Sequence, residues 1–186
     1  MKLRLLSWNV RGLNNPQKIE SIKSWLRSWK CDVVCLQETK LAGVDLQLAR
    51  SLWGTSFVDW EFLLAVGSAG GVLLMWDNRV VEKLDAVVHD FSVSYLWKSV
   101  SDGLVWVGTG LYGPTNDLLR RELWEELRAV QGLWSHPWCV FGDFNAVRFP
   151  SERLGCSRLS SQMTDFSDFV EASNLVDLPL GGGPYT

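Results

Sequence analysis

The chain has 186 residues, 47% hydrophobic and 21% charged, enough for one ordinary domain with a real core and not the composition of a disordered polymer. A formal net charge of −3 and an isoelectric point near 5.4 exclude a protein that coats nucleic acid by bulk electrostatics, although a bound cation can bring an acidic chain onto a phosphodiester. No apolar run approaches the ~20 residues that cross a bilayer, and MKLRLLSWN turns polar too soon for a signal peptide, so an intracellular, reducing setting is expected.

In chain order, residues 3–8 are apolar apart from Arg4 and Ser7 and predict a buried strand, followed by the turn signal Asn9-Val-Arg-Gly12. Asn15 before Pro16 marks a helix start, and Ile19, Ile22, Leu26 and Trp29 then recur at helical spacing. Residues 32–37, DVVCLQ, predict a second strand that runs directly into Glu38-Thr39, and residues 44–53 a second helix. Five strand-like segments follow at 57–65, 71–76, 80–89, 93–100 and 104–112, with a tight turn at Ser101-Asp-Gly103 joining the last two. GSAGG, residues 67–71, reads as a flexible loop, because no Gly-Lys-Ser/Thr follows to make it a phosphate cradle. Thr115-Asn116 caps a third helix striped by Leu119, Leu123, Leu127 and Val130, with Trp124 on its border. Residues 138–141 form another strand, and Ser160 or Ser161 caps a last helix bearing Met163, Phe166, Phe169 and Val170. No repeat or linker divides 1–186, so a single domain is expected. Helices at both ends with consecutive strands between them predict an α/β protein with two packed sheets.

Eleven tryptophans are far above ordinary usage. Trp8, Trp76 and Trp106 lie in strand-like runs, where core packing is expected and base stacking is the alternative. Cys31, Cys35, Cys139 and Cys156 contain no C-x-x-C pair, which favours buried free thiols over a zinc site or a disulfide.

Several strands end in polar residues. Val140–Asn145, VFGDFN, passes from an apolar run to Asp143 and Asn145, which are poor strand residues and costly to bury unless something binds them. The first strand ends at Asn9, the second leads to Glu38, and the segment ending at 112 leads to Tyr112-Gly-Pro114. Taken singly, each has a plain reading: Asn9 begins a turn, Glu38 caps a helix, Tyr112 joins the core, and Asp143 and Asn145 shape a turn. Side by side, these ends would supply two carboxylates, two amides and a phenol, an oxygen-rich set suited to a hard divalent cation such as Mg²⁺.

Ser7-Trp-Asn-Val-Arg-Gly12, Leu36-Gln-Glu-Thr-Lys40, Leu111-Tyr-Gly-Pro114 and Phe141-Gly-Asp-Phe-Asn145 occur in this order at domain-scale spacing. Together they resemble the endonuclease/exonuclease/phosphatase family, and most closely the endonuclease domain of LINE-type (non-LTR) retrotransposons, among which plant elements carry WNVRG and a terminal GGPYT. The resemblance implies a four-layer α/β sandwich, two facing mixed β-sheets flanked by helices, that hydrolyses phosphodiesters with Mg²⁺ or Mn²⁺. It implies Glu38 as the main metal ligand with Asn9 beside it, supporting metal and phosphate. Asp143 would position or deprotonate the attacking water, Asn145 would hold that aspartate and the phosphate, and Tyr112 would bond a phosphate oxygen. DNA is the implied partner and the nucleus the implied location, with Arg11, Arg148, Arg153 and Arg158 as candidate backbone contacts or, on the plain reading, solvated arginines.

Two departures bear on activity. Many repair members carry an acidic residue where Arg11 stands here. Members also continue past the Tyr-Thr pair into further strands and a Ser-Asp-His motif, and neither His89 nor His136 is placed to substitute for its histidine. A fold incomplete at its C-terminus, with impaired chemistry, is therefore the expectation. Another phosphoesterase of the same family and a non-catalytic remnant are the alternative functions.

Overall fold

A computed structural model describes residues 2–66, 69–179 and 181. The first half of the chain forms β1 (Leu5–Asn9), α1 (Pro16–Trp29), β2 (Val33–Gln37), α2 (Leu46–Trp53), β3 (Val58–Val66) and β4 (Ala69–Asp77). The second half forms β5 (Val81–Val88), β6 (Ser92–Ser99), β7 (Val105–Tyr112), α3 (Asp117–Leu133), β8 (Trp138–Asp143), a 3-10 turn (Pro150–Glu152) and α4 (Ser161–Ala172).

The strands make two four-stranded mixed sheets. One has the order β1-β2-β4-β3, with β1 and β2 parallel; the other has the order β5-β6-β7-β8, with β7 and β8 parallel. Period-two alternation decides what each face meets. On β2, Val34 and Leu36 face α1 and α2, packing with Ile22, Leu26 and Leu52. Val33 and Cys35 face the second sheet, joining Val72, Leu74 and Trp76 against Tyr95, Trp97 and Trp106. The outer face of the second sheet is covered by α3 and α4 through Leu111, Leu123, Trp124, Leu127, Phe166 and Phe169. The architecture is a four-layer α/β sandwich, as the motifs implied.

The helix starts follow the sequence signals. Asn15 Oδ1 accepts from Gln17 N, Asn116 Oδ1 from Leu118 N, and Ser160 Oγ from Met163 N. Three expectations need correction. β8 runs on through Asp143 instead of stopping at Phe141, because Tyr112 pairs with Asp143 and extends the parallel ladder. Residues 69–71 of GSAGG belong to β4, at positive φ for both Gly70 and Gly71, while Gly67 and Ser68 lie outside the described residues. On α3, Trp124 is buried and Leu119 is 41% exposed, so the stripe is rotated by part of a turn. The terminal residues 182–186, which make up the GGPYT signal, also lie outside the described residues.

Trp76 and Trp106 are buried between the sheets, and Trp8 packs half-buried against the α1 side. The four cysteines are free. Cys35 is fully enclosed, and burial pushes its thiol up to about 12; burial also raises Cys31 and Cys139, which leaves these groups poor nucleophiles. No described helix is long and apolar enough to cross a membrane.

Candidate active site

The parallel pairs β1–β2 and β7–β8 set the site, because the carboxyl ends of both bring their own polar residues to one place. Past the strands, the loops stay laddered: Val10 N donates to Gln37 O, Gly12 N to Glu38 O, Leu13 N to Thr39 O, and Thr39 N in turn to Gly71 O. Glu38 is thus pinned through its main chain between the β1 loop and β4. Its side chain reaches across to the second sheet.

There the expected residues converge. Asn9 Nδ2 donates to Glu38 Oε1 at 3.1 Å and to Asp143 Oδ2 at 2.9 Å. The Tyr112 hydroxyl donates to the same Glu38 Oε1 at 2.8 Å. Asn145 N donates to Asp143 Oδ1 at 2.9 Å, and Asn145 Nδ2 to Gly113 O at 2.7 Å. Asn145 therefore holds Asp143 through its main-chain N–H, and its side-chain amide secures the Tyr112-Gly113 strand end. Asn9 turns its donor to the carboxylates, while its Oδ1 accepts from Arg11 N at 3.1 Å. It acts as a tether between two acids.

The electrostatics follow this geometry. The hydrogen bond from Asn9, then that from Tyr112 and the charges of Lys40 and Arg11, hold Glu38 below the usual carboxylate range against a desolvation that opposes them. Tyr112 is pushed up to about 12, first by burial and then by donating to the Glu38 carboxylate, so its phenol stays a donor at neutral pH. Glu38 Oε2 accepts no hydrogen bond from the described residues and remains open.

Backbone strain concentrates at the same place. Arg11, Glu38, Lys40 and Asn145 have φ of +51°, +52°, +56° and +49°, and the other non-glycine residues at positive φ among the described residues, Lys30 and Asn174, sit at helix ends. Such conformations cost about 1–3 kcal/mol each and persist where the surroundings over-determine them. A Cβ on Gly113 would lie 2.3 Å from Phe144 O, so only glycine permits this approach of the β7 and β8 ends.

Among the described residues no group of three or more His, Cys, Asp and Glu could enclose a metal. Two carboxylates and the open Glu38 oxygen instead fit a hard cation that keeps several of its waters. The candidate arginines separate. Arg11 is exposed beside the site, and Arg153 and Arg158 are exposed around the 3-10 turn. Arg148 is turned toward Glu171 and Asp177, at 3.5 and 3.8 Å. His136 precedes β8 at its amino end, away from the site, while His89 follows β5 at the site's end of the sheet, where its N–H donates to Ser92 O. Neither histidine hydrogen-bonds Asn9, Glu38, Tyr112, Asp143 or Asn145. Sequence reasoning missed two buried polar residues that brace the site. Gln37 donates to Ser7 Oγ and Cys35 O beneath β1 and β2, and Arg120 of α3 donates to Asn145 O at 2.6 Å.

A four-layer α/β sandwich with two tethered carboxylates at the mouth of its facing sheets is the frame of a phosphoester-hydrolase fold. Residues 6–184 match the model of the Endonuclease/Exonuclease/phosphatase family, and the chain belongs to that family, whose nuclease- and phosphatase-type hydrolases generally use divalent metals. The chain is 31% identical over 68 residues to the exodeoxyribonuclease of Bacillus subtilis (strain 168), a match covering 37% of this chain and 26% of that protein. The crystal structure of the AP endonuclease LMAP from Leishmania major superposes with a TM-score of 0.73 at 15% identity, over 92% of this chain and 67% of that one. The mannosyl-6-phosphatase Bt3783 of Bacteroides thetaiotaomicron superposes at 0.61 and 13% identity, over 78% and 66%. The chain thus spans about a quarter of the curated relative and about two thirds of these structures.

Proposed function

We propose that this chain carries the centre of a cation-dependent phosphodiesterase acting on DNA, a nicking endonuclease of the kind found in LINE-type retrotransposons, which leaves a 3′-hydroxyl to prime reverse transcription. One observation carries the reading: the Asn9 amide nitrogen touches carboxylates from both sheets, at 3.1 and 2.9 Å. Glu38 would hold Mg²⁺ or Mn²⁺ through its open oxygen, and the ion would offset charge on the phosphoryl oxygens. Asp143, fixed by Asn9 and the Asn145 N–H, orients and deprotonates the attacking water. Tyr112 stays protonated and offers its hydroxyl to Glu38 or to a phosphate oxygen. Arg11, Arg153 and Arg158 are free to touch the DNA backbone. The motif Trp8-Asn-Val-Arg-Gly12 and the terminal Gly182-Gly-Pro-Tyr-Thr186 support the LINE assignment, and the nuclear location goes with it.

The test is nicking of supercoiled plasmid in Mg²⁺ and in Mn²⁺, beside a panel of small phosphomonoesters that includes mannose 6-phosphate, since one fold relative is a sugar phosphatase. Nicking that is abolished by chelation and by Glu38→Ala or Asp143→Ala supports the reading. Turnover of monoesters alone replaces it with a phosphatase. Inactivity on both, with no heat of Mg²⁺ binding, makes the chain a non-catalytic remnant.

A further inference from the structure

α3 covers the second sheet with an apolar stripe, yet Arg120 in its second turn is only 8% exposed. Burying a guanidinium is expensive unless every face of it is satisfied. Here one nitrogen, Nη1, donates to Asn145 O at 2.6 Å, and Nη2 pairs with Asp117 Oδ1. The second oxygen of Asp117 accepts from Gln162 Nε2 of α4 at 2.7 Å, so both helices of this layer join the network.

The acceptor carbonyl belongs to Asn145, which stands at φ +49° and orients Asp143 by its own N–H. On the other side, Gly113 N donates to Asp143 O at 2.6 Å. Among the described residues the 143–145 turn is therefore held from three directions, by Arg120, by Gly113 and by the Asn9 amide on Asp143, and only Arg120 brings a charge. We infer that Arg120 is a positioning residue for the reaction, which fixes the strained Asn145 peptide and through it the direction of the Asp143 carboxylate. Without it, Asn145 O would lose its partner and the turn could relax toward negative φ, swinging Asp143 away from Asn9.

The rate part of this inference rests on the nuclease reading; the structural part does not. Arg120→Met keeps the aliphatic bulk and removes the donors. On plasmid DNA, kcat is expected to fall about 100-fold with KM within about 3-fold, since misplacing a reacting group by about 1 Å costs that much. Arg120→Lys, which keeps one donor and the charge, should recover part of the loss. Hydrogen exchange supplies a readout independent of activity: the Asn145 and Gly113 amides should lose protection in Arg120→Met, while the β5–β6 amides keep theirs. If Arg120→Met fails to fold, Asp117→Ala, which removes the acceptor from Nη2, should give a smaller change at the same two amides. Wild-type kcat together with wild-type exchange at Asn145 and Gly113, or unaltered exchange in Asp117→Ala, overturns the inference. A wild-type protein inactive on DNA overturns the nuclease reading instead, and the exchange pattern still decides the role of Arg120.

Discussion

The phenol of Tyr112, at the end of β7, donates to Glu38 Oε1, in the loop after β2, across 2.8 Å. That bond joins the two sheets and steadies the oxygen opposite the one left open. Tyr112→Phe should lower kcat by about 10- to 100-fold, as expected for loss of a hydrogen bond to a charged group worth about 1.5–3 kcal/mol. Burial and the carboxylate push the phenol up to about 12. The absorbance of tyrosinate near 295 nm should therefore show an ionisation, absent from Tyr112→Phe, that begins only above about pH 11. In the difference between wild type and Tyr112→Phe, an ionisation near pH 10 would contradict the bond.

Glu38 is held below the usual carboxylate range, chiefly by the Asn9 amide. A depressed folded value means that its stabilising contribution is complete above the ordinary carboxylate range and is lost as pH falls through the folded value. In urea titrations between pH 3 and 7, the difference between wild type and Glu38→Gln should be constant above about pH 5 and shift against the wild type below it. A difference independent of pH would remove the link.

Asn9 separates two carboxylates that would otherwise face each other. Asn9→Asp puts a third anion between them and should weaken DNA cleavage more than Asn9→Ala does. Each is expected to cost at least about 100-fold in kcat, the scale seen when a preorganised donor is deleted. Steady-state kinetics on a nicked-circle assay would rank the two, and equal losses would argue that Asn9 acts through packing alone.

Gly108 on β7 leaves room for the interlayer tryptophans: a Cβ there would lie 2.2 Å from Trp97 and 2.9 Å from Trp106. Gly108→Ala should destabilise the fold by about 1–3 kcal/mol or more, since rigid rings on both sides cannot give way. Thermal melts would show it, and a wild-type melting temperature would mean that the two rings have another place to go.

On α3, Glu126 accepts from Ser92 Oγ at 2.5 Å and from Phe91 N at 3.2 Å, and burial raises it above its ordinary value. With a raised folded value, its contribution is complete below the unfolded pKa and declines as pH rises through the folded one. Relative to Glu126→Gln, the wild type should lose stability from about pH 4 toward neutrality. A urea midpoint series would find no such slope if Ser92 and Phe91 fully offset the burial.

The strands and helices were legible because their signals are local. Val33–Leu36 is apolar throughout and, with Gln37, is buried on both faces, and Asn15, Asn116 and Ser160 cap as their side chains allow. The convergence of Asn9, Glu38, Tyr112, Asp143 and Asn145 was legible only from four motifs taken together, since each residue alone serves equally well in a turn. Arg120 was hidden because an arginine on an amphipathic helix reads as solvated, and only the tertiary approach of Asn145 gives it a partner. Trp124 and Leu119 exchanged places because a large ring outcompetes a leucine for the aromatic cluster formed by Phe144, Phe166 and Phe169. The left-handed backbone at Glu38 had no signal, because glutamate is not a residue that seeks it.

β1 to β4 complete one sheet before β5 begins the other, so the polypeptide is bipartite along its length. The leading segment owns Asn9 and Glu38; the trailing segment owns Tyr112, Asp143 and Asn145. Neither half holds all five residues. The cluster belongs to the seam where the two slabs meet, and it forms only once the later-synthesised portion has closed over the earlier one.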